Sequence, residues 1–143
     1  MRLTAHSDYA FRILIYLATT PDQTTSVAAI AEAFGISSSH LAKVGLLLAR
    51  AGFVESQRGA AGGMRLARGA EAIGLGDVLR KTEPDFHMVE CFNAQTNGCV
   101  LTGACALQDV LRKATGAFLE VLDGYTVADL VRSRSLRQRL LSR

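Results

Sequence analysis

The chain has no tryptophan, only three tyrosines and six phenylalanines, and no apolar run longer than the six residues from Ile13 to Ala18. Aromatic platforms on which single-stranded nucleic acid could stack are therefore poorly supplied. A membrane-spanning helix, which needs roughly 20 consecutive apolar residues, is excluded as well. Arg2, His6, Asp8 and Arg12 interrupt any apolar stretch of the kind a secretory signal requires, so the expected location is the cytoplasm. Charged residues make up 20% of the chain and apolar ones 49%, a balance that builds a core rather than a disordered segment. At 143 residues the length suits one domain and not two large ones. No paired carboxylates, Ser/His/Asp constellation or nucleotide-binding loop is present, so nothing points to an enzyme. Cysteines are few and odd in number: Cys91, Cys99 and Cys105 fall within one short segment. In a reducing compartment that clustering suggests metal or redox chemistry over a disulfide framework.

The formal charge of +3 is unevenly spread. Residues 1–68 carry seven basic and four acidic side chains, residues 69–131 four basic and nine acidic, and residues 132–143 five arginines with no acid. The first stretch could face a polyanion; the middle one would be repelled by it. The terminal arginines read as a solvated end.

Apolar spacing predicts a helix from Ser7 to Thr19, with Ser7 as its cap, broken by Pro21. Ser26 opens a second helix, Val27 to Phe34, ended by Gly35, and a third runs from about Ser38 to Ala51. Phe53–Gln57 and Met64–Leu66 read as the strands of a hairpin, Leu75–Thr82 as a short helix, and about Cys105–Leu122 as the longest. On that last helix Val110, Leu111, Ala114, Ala117, Phe118, Val121 and Leu122 form a wide apolar stripe. Thr126 with Asp129 resembles a capping box for a final short helix.

Two helices joined through Gly35-Ile36-Ser37, with small Ala31 at the crossing and Leu41 turned inward, fit a helix-turn-helix. Ser38, Ser39, His40 and Lys43 then point outward, where hydroxyl, imidazole and ammonium suit base edges and phosphates in a major groove. An ordinary helical hairpin with a polar face would share this outline. The glycine-rich tip that follows favours the helix-turn-helix, with a plain flexible hairpin as the alternative. It has no Gly-Lys-Ser/Thr and precedes a strand, so it is not a P-loop. Arg58, Gly59, Gly62, Gly63 and Arg65 instead suit a wing that reaches a minor groove. The expected fold is mainly α with a small β-hairpin: a winged helix-turn-helix domain over residues 1–82, a loop over 83–104, and a long dimerisation helix with a short helix and tail over 105–143.

Cys91-x7-Cys99-x5-Cys105 lacks a CxxC and is not a zinc knuckle of usual spacing. Three thiolates on an irregular loop, the third opening a helix, can hold an iron–sulfur cluster, and the helix dipole favours its negative charge. Zinc, or three plain buried thiols, are the alternatives. A four-iron cluster would need one more ligand, from His87, Glu90, Asp8 or a small molecule.

Taken together, these segments resemble the NsrR and IscR family of iron–sulfur winged-helix transcriptional regulators. The likeness is carried by Met1-Arg2-Leu3-Thr4 with Ser7-Asp8-Tyr9, the helix-turn-helix through Val44, Arg58-Gly59-x-x-Gly62-Gly63-x-x-Leu66-Ala67, the three cysteines, and Leu122-Asp123-Gly124-Tyr125-Thr126-Val127-Ala128-Asp129-Leu130-Val131. It is nearest to the nitric-oxide-sensing branch: IscR-like members place a histidine three residues after the last cysteine, where this chain has Gln108. The resemblance implies a homodimeric repressor on a pseudo-palindromic double-stranded DNA operator. It further implies an iron–sulfur cluster, 4Fe-4S with 2Fe-2S as the alternative, on Cys91, Cys99, Cys105 and Asp8 of the partner subunit, with nitric oxide as the signal. Read alone, Asp8 is simply an acid favoured by the first helical turn. The alternatives are a regulator of the same fold sensing cluster supply or redox state, and a small iron–sulfur or thiol redox protein. Two departures stand out: the seven-residue gap after Cys91 is long for the family, and Gly45 lies inside the recognition helix, at a propensity cost of about 1 kcal/mol relative to alanine.

Overall fold

The first helix, α1 (Ala5–Thr19), starts earlier than its apolar spacing predicts, and Thr4 rather than Ser7 caps it: the Thr4 hydroxyl oxygen accepts the Ser7 N–H at 3.3 Å. Ser7 is fully buried instead, its hydroxyl 2.8 Å from that of Thr82. The Thr82 hydroxyl donates to the Val78 carbonyl, so the Ser7 proton is the one shared between the pair. This is a computed structural model, and it describes residues 2–21, 23–57, 59 and 62–141.

Ser26 caps α2 (Val27–Phe34) through the Ala29 N–H, and Gly35 ends it at φ 63°, a left-handed turn that a side chain would strain. The next helix, α3 (Ser38–Arg50), follows directly. Ile30, Ala31, Leu41, Val44 and Leu48 from this pair close over Ala10, Ile13, Leu14 and Leu17 of α1. Strands β1 (Val54–Gln57) and β2 (Gly63–Leu66) pair antiparallel with Val54 opposite Leu66 and Gln57 opposite Gly63. Thr25, just before α2, exchanges both backbone hydrogen bonds with Met64 at 2.8 and 2.9 Å, so the hairpin is fastened to the helix-turn-helix. Gly45 is no defect in this setting. A Cβ there would lie 2.5 Å from the Met64 methyl, and the missing side chain lets the buried Met64 pack onto α3.

A short turn at 70–72 leads into α4 (Leu75–Thr82), whose Leu75, Val78 and Leu79 complete the core together with Ile73. After the cysteine-bearing segment comes α5 (Ala106–Asp123), then α6 (Val127–Leu130) and α7 (Arg134–Leu141). Backbone bonds from Leu75 to Tyr125 and from Val127 to Ile73 tie the two ends of this stretch together. Arg80 clamps Asp123 with two hydrogen bonds of 2.6 and 2.7 Å. The capping box at Thr126 and Asp129 is present as expected. Leu136 packs α7 against the core, and Arg137 donates to the Val131 carbonyl. Among the described residues no helix is long and apolar enough to cross a membrane.

The apolar stripe of α5 divides. Leu111, Phe118 and Leu122 are half-buried, whereas Val110, Ala114, Ala117 and Val121 are exposed, the two valines at 59% and 62%. No residue of α5 is buried.

Candidate functional site

Two sets of residues carry the chemistry, one at each end of the molecule's packing density. The first lies on α3 and the hairpin. Ser38, Ser39, His40 and Lys43 are all exposed on the first turns of α3, while Leu41 and Val44 between them are buried. The amphipathic spacing thus holds one rigid polar edge outward. Ser39 shares a hydrogen bond with Ser37 at 2.8 Å. A cavity of about 190 Å³ lined by Ala5, His6, Tyr9, His40, Lys43 and Val44 brings the start of α1 beside this edge. His6 was not singled out from the sequence, where nothing marks it as a neighbour of α3.

On the hairpin, Gly59 adopts φ 112° and accepts the Gly62 N–H through its carbonyl at 2.8 Å, closing the tip. A Cβ on Gly63 would collide with the Thr25 backbone. These glycines therefore have a folding reason in addition to any contact with a groove. Arg65 is not a free cation: directly opposite Glu55, it makes two hydrogen bonds to that carboxylate at 2.7 and 3.0 Å. Arg58 lies outside the described residues.

The second set is the cysteine segment. Cys91, Cys99 and Cys105 are free thiols, each half-buried. Cys105 stands at the N-cap of α5. The other two are knitted together by local bonds. Glu90, just before Cys91, accepts the N–H of Gly98, just before Cys99, at 2.8 Å. Gln108, in the first turn of α5, donates from Nε2 to the Cys91 carbonyl at 3.1 Å. The Arg112 guanidinium stacks 4.9 Å from the centre of the Phe92 ring, and the Thr115 hydroxyl meets the Met88 sulfur at 3.0 Å. Turns flank Cys99: before it Asn97 accepts from the Cys99 N–H, and after it Thr102 donates to the Cys99 carbonyl.

Among the described residues, no three His, Cys, Asp or Glu side chains converge tightly enough to hold a metal ion. The named candidates for a fourth ligand have neighbours within the chain: Asp8 pairs with Arg12 at 2.8 Å, Glu90 accepts from Gly98, and the His87 ring Nδ1 lies 3.7 Å from the Asp85 carboxylate. The donor chemistry nevertheless fits an iron–sulfur group: three unpaired thiols, their backbone positions linked, with one at a helix N-terminus.

Asp8 is joined to the rest by what surrounds it. Ser7 is bound to Thr82, and Glu83 accepts both the N–H and the hydroxyl of Thr4, at 2.8 and 3.1 Å. The first turn of α1 is thereby locked to the end of α4, where the cysteine segment begins.

A winged helix-turn-helix with an exposed polar edge, joined to a free-thiol segment and a long helix, is the architecture of a transcriptional regulator. The chain belongs to the Rrf2 family of iron-dependent transcriptional regulators, which it matches over residues 3–133. It is 46% identical to the HTH-type transcriptional regulator NsrR of Bacillus subtilis (strain 168) over 142 residues, 99% of this chain and 97% of that one. Among solved structures it is similar to CymR, described as the global cysteine regulator of B. subtilis, with a TM-score of 0.76, 30% identity, and coverage of 92% of this chain and 96% of that one. It is similar also to T. potens IscR, with a TM-score of 0.74 and 28% identity, covering 92% and 87%.

Proposed function

We propose that this chain is a homodimeric, cytoplasmic, DNA-binding repressor that senses nitric oxide through an iron–sulfur cluster, of the 4Fe-4S type with 2Fe-2S as the alternative. Its units are the DNA-binding domain 1–82, the cluster loop 83–104, and the dimerisation helix and tail 105–143. The observation that carries the reading is a segment of three free thiols fastened to the head of a helix whose Val110 and Val121 are exposed, in a chain with 46% identity to a regulator named NsrR.

Cys91, Cys99 and Cys105 would hold the cluster, with Asp8 of the partner subunit as the oxygen donor. Bound there, the cluster would supply iron able to combine with nitric oxide, and a carboxylate would be a harder, less covalent ligand for that iron than a thiolate. The chain's own residues convert that event into a change at DNA. Asp8 shares a helical turn with Ser7, whose hydroxyl is fixed to Thr82, and α1 packs along α3. Holding or releasing Asp8 therefore reaches the reading helix through α1 and the end of α4. Coupling of this sort typically amounts to about 1–3 kcal/mol. In a two-fold dimer the reading edges of Ser38, Ser39, His40 and Lys43 would meet successive major grooves about 34–36 Å apart, with Arg58, Gly59, Gly62, Gly63 and Arg65 of each wing at the flanking minor grooves. Arg65 would meet phosphate with its charge already shared with Glu55, through the guanidinium N–H groups that Glu55 does not hold.

The test is anaerobic purification, iron and sulfide assay, and nitric oxide titration in the presence of duplex DNA carrying the operator. A brown protein that bleaches and releases the duplex is the expected result. A colourless protein that holds the duplex with or without nitric oxide overturns the sensing mechanism and turns attention to thiol oxidation.

A further inference from the structure

We infer that Glu90 and Gln108 are positioning residues for the thiol ligands, Glu90 by fastening the Cys91 strand of the loop to the Cys99 strand and Gln108 by fastening Cys91 to α5. The inference rests on the iron–sulfur reading above and deepens it. Both contacts are selective in what they join. Glu90 and Gly98 are eight residues apart, and each immediately precedes a cysteine; Glu90 Oε1 accepts the Gly98 N–H at 2.8 Å. Gln108 is three residues beyond Cys105, and its Nε2 donates to the Cys91 carbonyl at 3.1 Å. Through these two bonds the backbones at all three cysteines are referred to one another and to the N-terminus of α5.

The surroundings make these bonds matter. From residue 83 to residue 126 no residue is buried, so no apolar core sets the path of the loop. Hydrogen bonds and two side-chain contacts to α5 hold it. The Glu90 bond is charge-assisted, the stronger kind. Gly98 suits its place because a Cβ there would already lie 3.3 Å from Glu90 Oε1. Gln108 occupies a position where a side chain capable of ligating metal could stand, but its amide group is a poor ligand and a good donor, and the donor is what this structure uses. Residues that orient the ligands of a metal site, without touching the metal, typically change its affinity about 10–100-fold when removed.

The experiment uses the full chain reconstituted without oxygen, with Glu90→Ala, Gln108→Leu and Glu90→Gln beside the parent and Cys91→Ala. Iron loss to a chelator is followed by absorption, and amide exchange at Gly98 is followed in the metal-free protein. Glu90→Ala and Gln108→Leu are expected to weaken iron retention about 10–100-fold. Glu90→Gln keeps an acceptor oxygen and is expected to restore it. Gly98 exchange should quicken in Glu90→Ala and stay slow in Glu90→Gln, while metal-free thermal unfolding of all three is unchanged, since no core contact is lost. Retention equal to the parent in both Glu90→Ala and Gln108→Leu overturns the inference. So does iron loss in Glu90→Gln as complete as in Cys91→Ala, which would make Glu90 a ligand. A parent chain that takes up no iron overturns the underlying reading instead, and is told apart because no variant then differs from it.

Discussion

The stretch up to Thr82 and the stretch from Glu83 to Thr126 are built on different terms. The first, closed off by Val127 and Val131, holds every buried apolar side chain among the described residues; the second holds none. In the first, elements are located by packing: Met64 fits the space that Gly45 leaves, and Ser7 meets Thr82 inside the core. In the second, elements are located mainly by hydrogen bonds and ion pairs, with Leu122 packed against the core of the first, and Val110 and Val121 of its long helix stay exposed, as do Val100 at 96% and Leu101 at 59%. A helix with two apolar faces and one neighbour has a place for another neighbour. The helix-turn-helix half thus has its core within one chain, whereas the cysteine-bearing half leaves apolar surface uncovered.

The largest expected effect breaks the second half at that face. Val110→Asp with Val121→Asp should convert a dimer to a monomer in sedimentation, with helix content retained. Each valine buried in a dimer contributes about 1.5–3 kcal/mol, and four are lost, so dissociation should rise at least about 10⁴-fold. A substituted chain that remains dimeric would place the interface elsewhere.

A smaller effect, of opposite sign in the two halves, comes from adding one methyl group to a helical glycine. Gly45→Ala gains about 1 kcal/mol of helix propensity but forces the buried Met64 aside, an overpacking cost of about 1–3 kcal/mol, so a net loss near 1 kcal/mol is expected in urea unfolding. Gly116 has nothing within 4 Å of its would-be Cβ and shares the charged face of α5 with Arg112 and Glu120. Gly116→Ala should therefore stabilise the chain by about 1 kcal/mol. Shifts of the same sign at both sites would erase the contrast in packing.

The same contrast governs what could be read from the sequence. The bounds of α2 and the start of α3 were legible because their signals are local: Ser26 caps at three residues' distance, and Gly35 ends the helix where it stands. Ser7 misled because serine is a good cap and also a good buried hydroxyl, and its partner Thr82 is 75 residues away. Gly45 looked like a weakness because Met64 arrives only through the hairpin. Gln108 was legible as the mark of one branch of the family, yet its bond to Cys91 follows from how the loop folds back. The wing's glycines were read as groove contacts, and Gly63 proves to be needed for the approach to Thr25 as well. Arg65 was read as a cation for DNA, without the Glu55 that the strand register sets opposite it. The three thiols were found at once by counting, whereas the bonds that relate them span up to 17 residues and carry no periodic signal.

The smallest effect concerns the turn that returns the chain from the sparse half to the dense one. Asp129 accepts the Thr126 N–H at 2.7 Å and the Thr126 hydroxyl at 2.9 Å, with Arg132 alongside. The backbone bond, then the hydroxyl, then the nearby guanidinium all favour the carboxylate and hold Asp129 below its ordinary value of 3.8. Asp123 is lowered likewise by its bonds to Arg80. With the folded values depressed, the unfolded chain takes up protons first as the solution is acidified. The stabilisation is whole above the ordinary aspartate range and is lost as pH falls through it and below. Asp129→Asn keeps an oxygen but no charge, so its melting temperature should lie below the parent's at neutral pH, and the gap should close in acid as the parent's own carboxyl is protonated. A gap that stays constant from about pH 7 to about pH 3 would show that the shape of the side chain, and not its charge, closes the turn at Thr126.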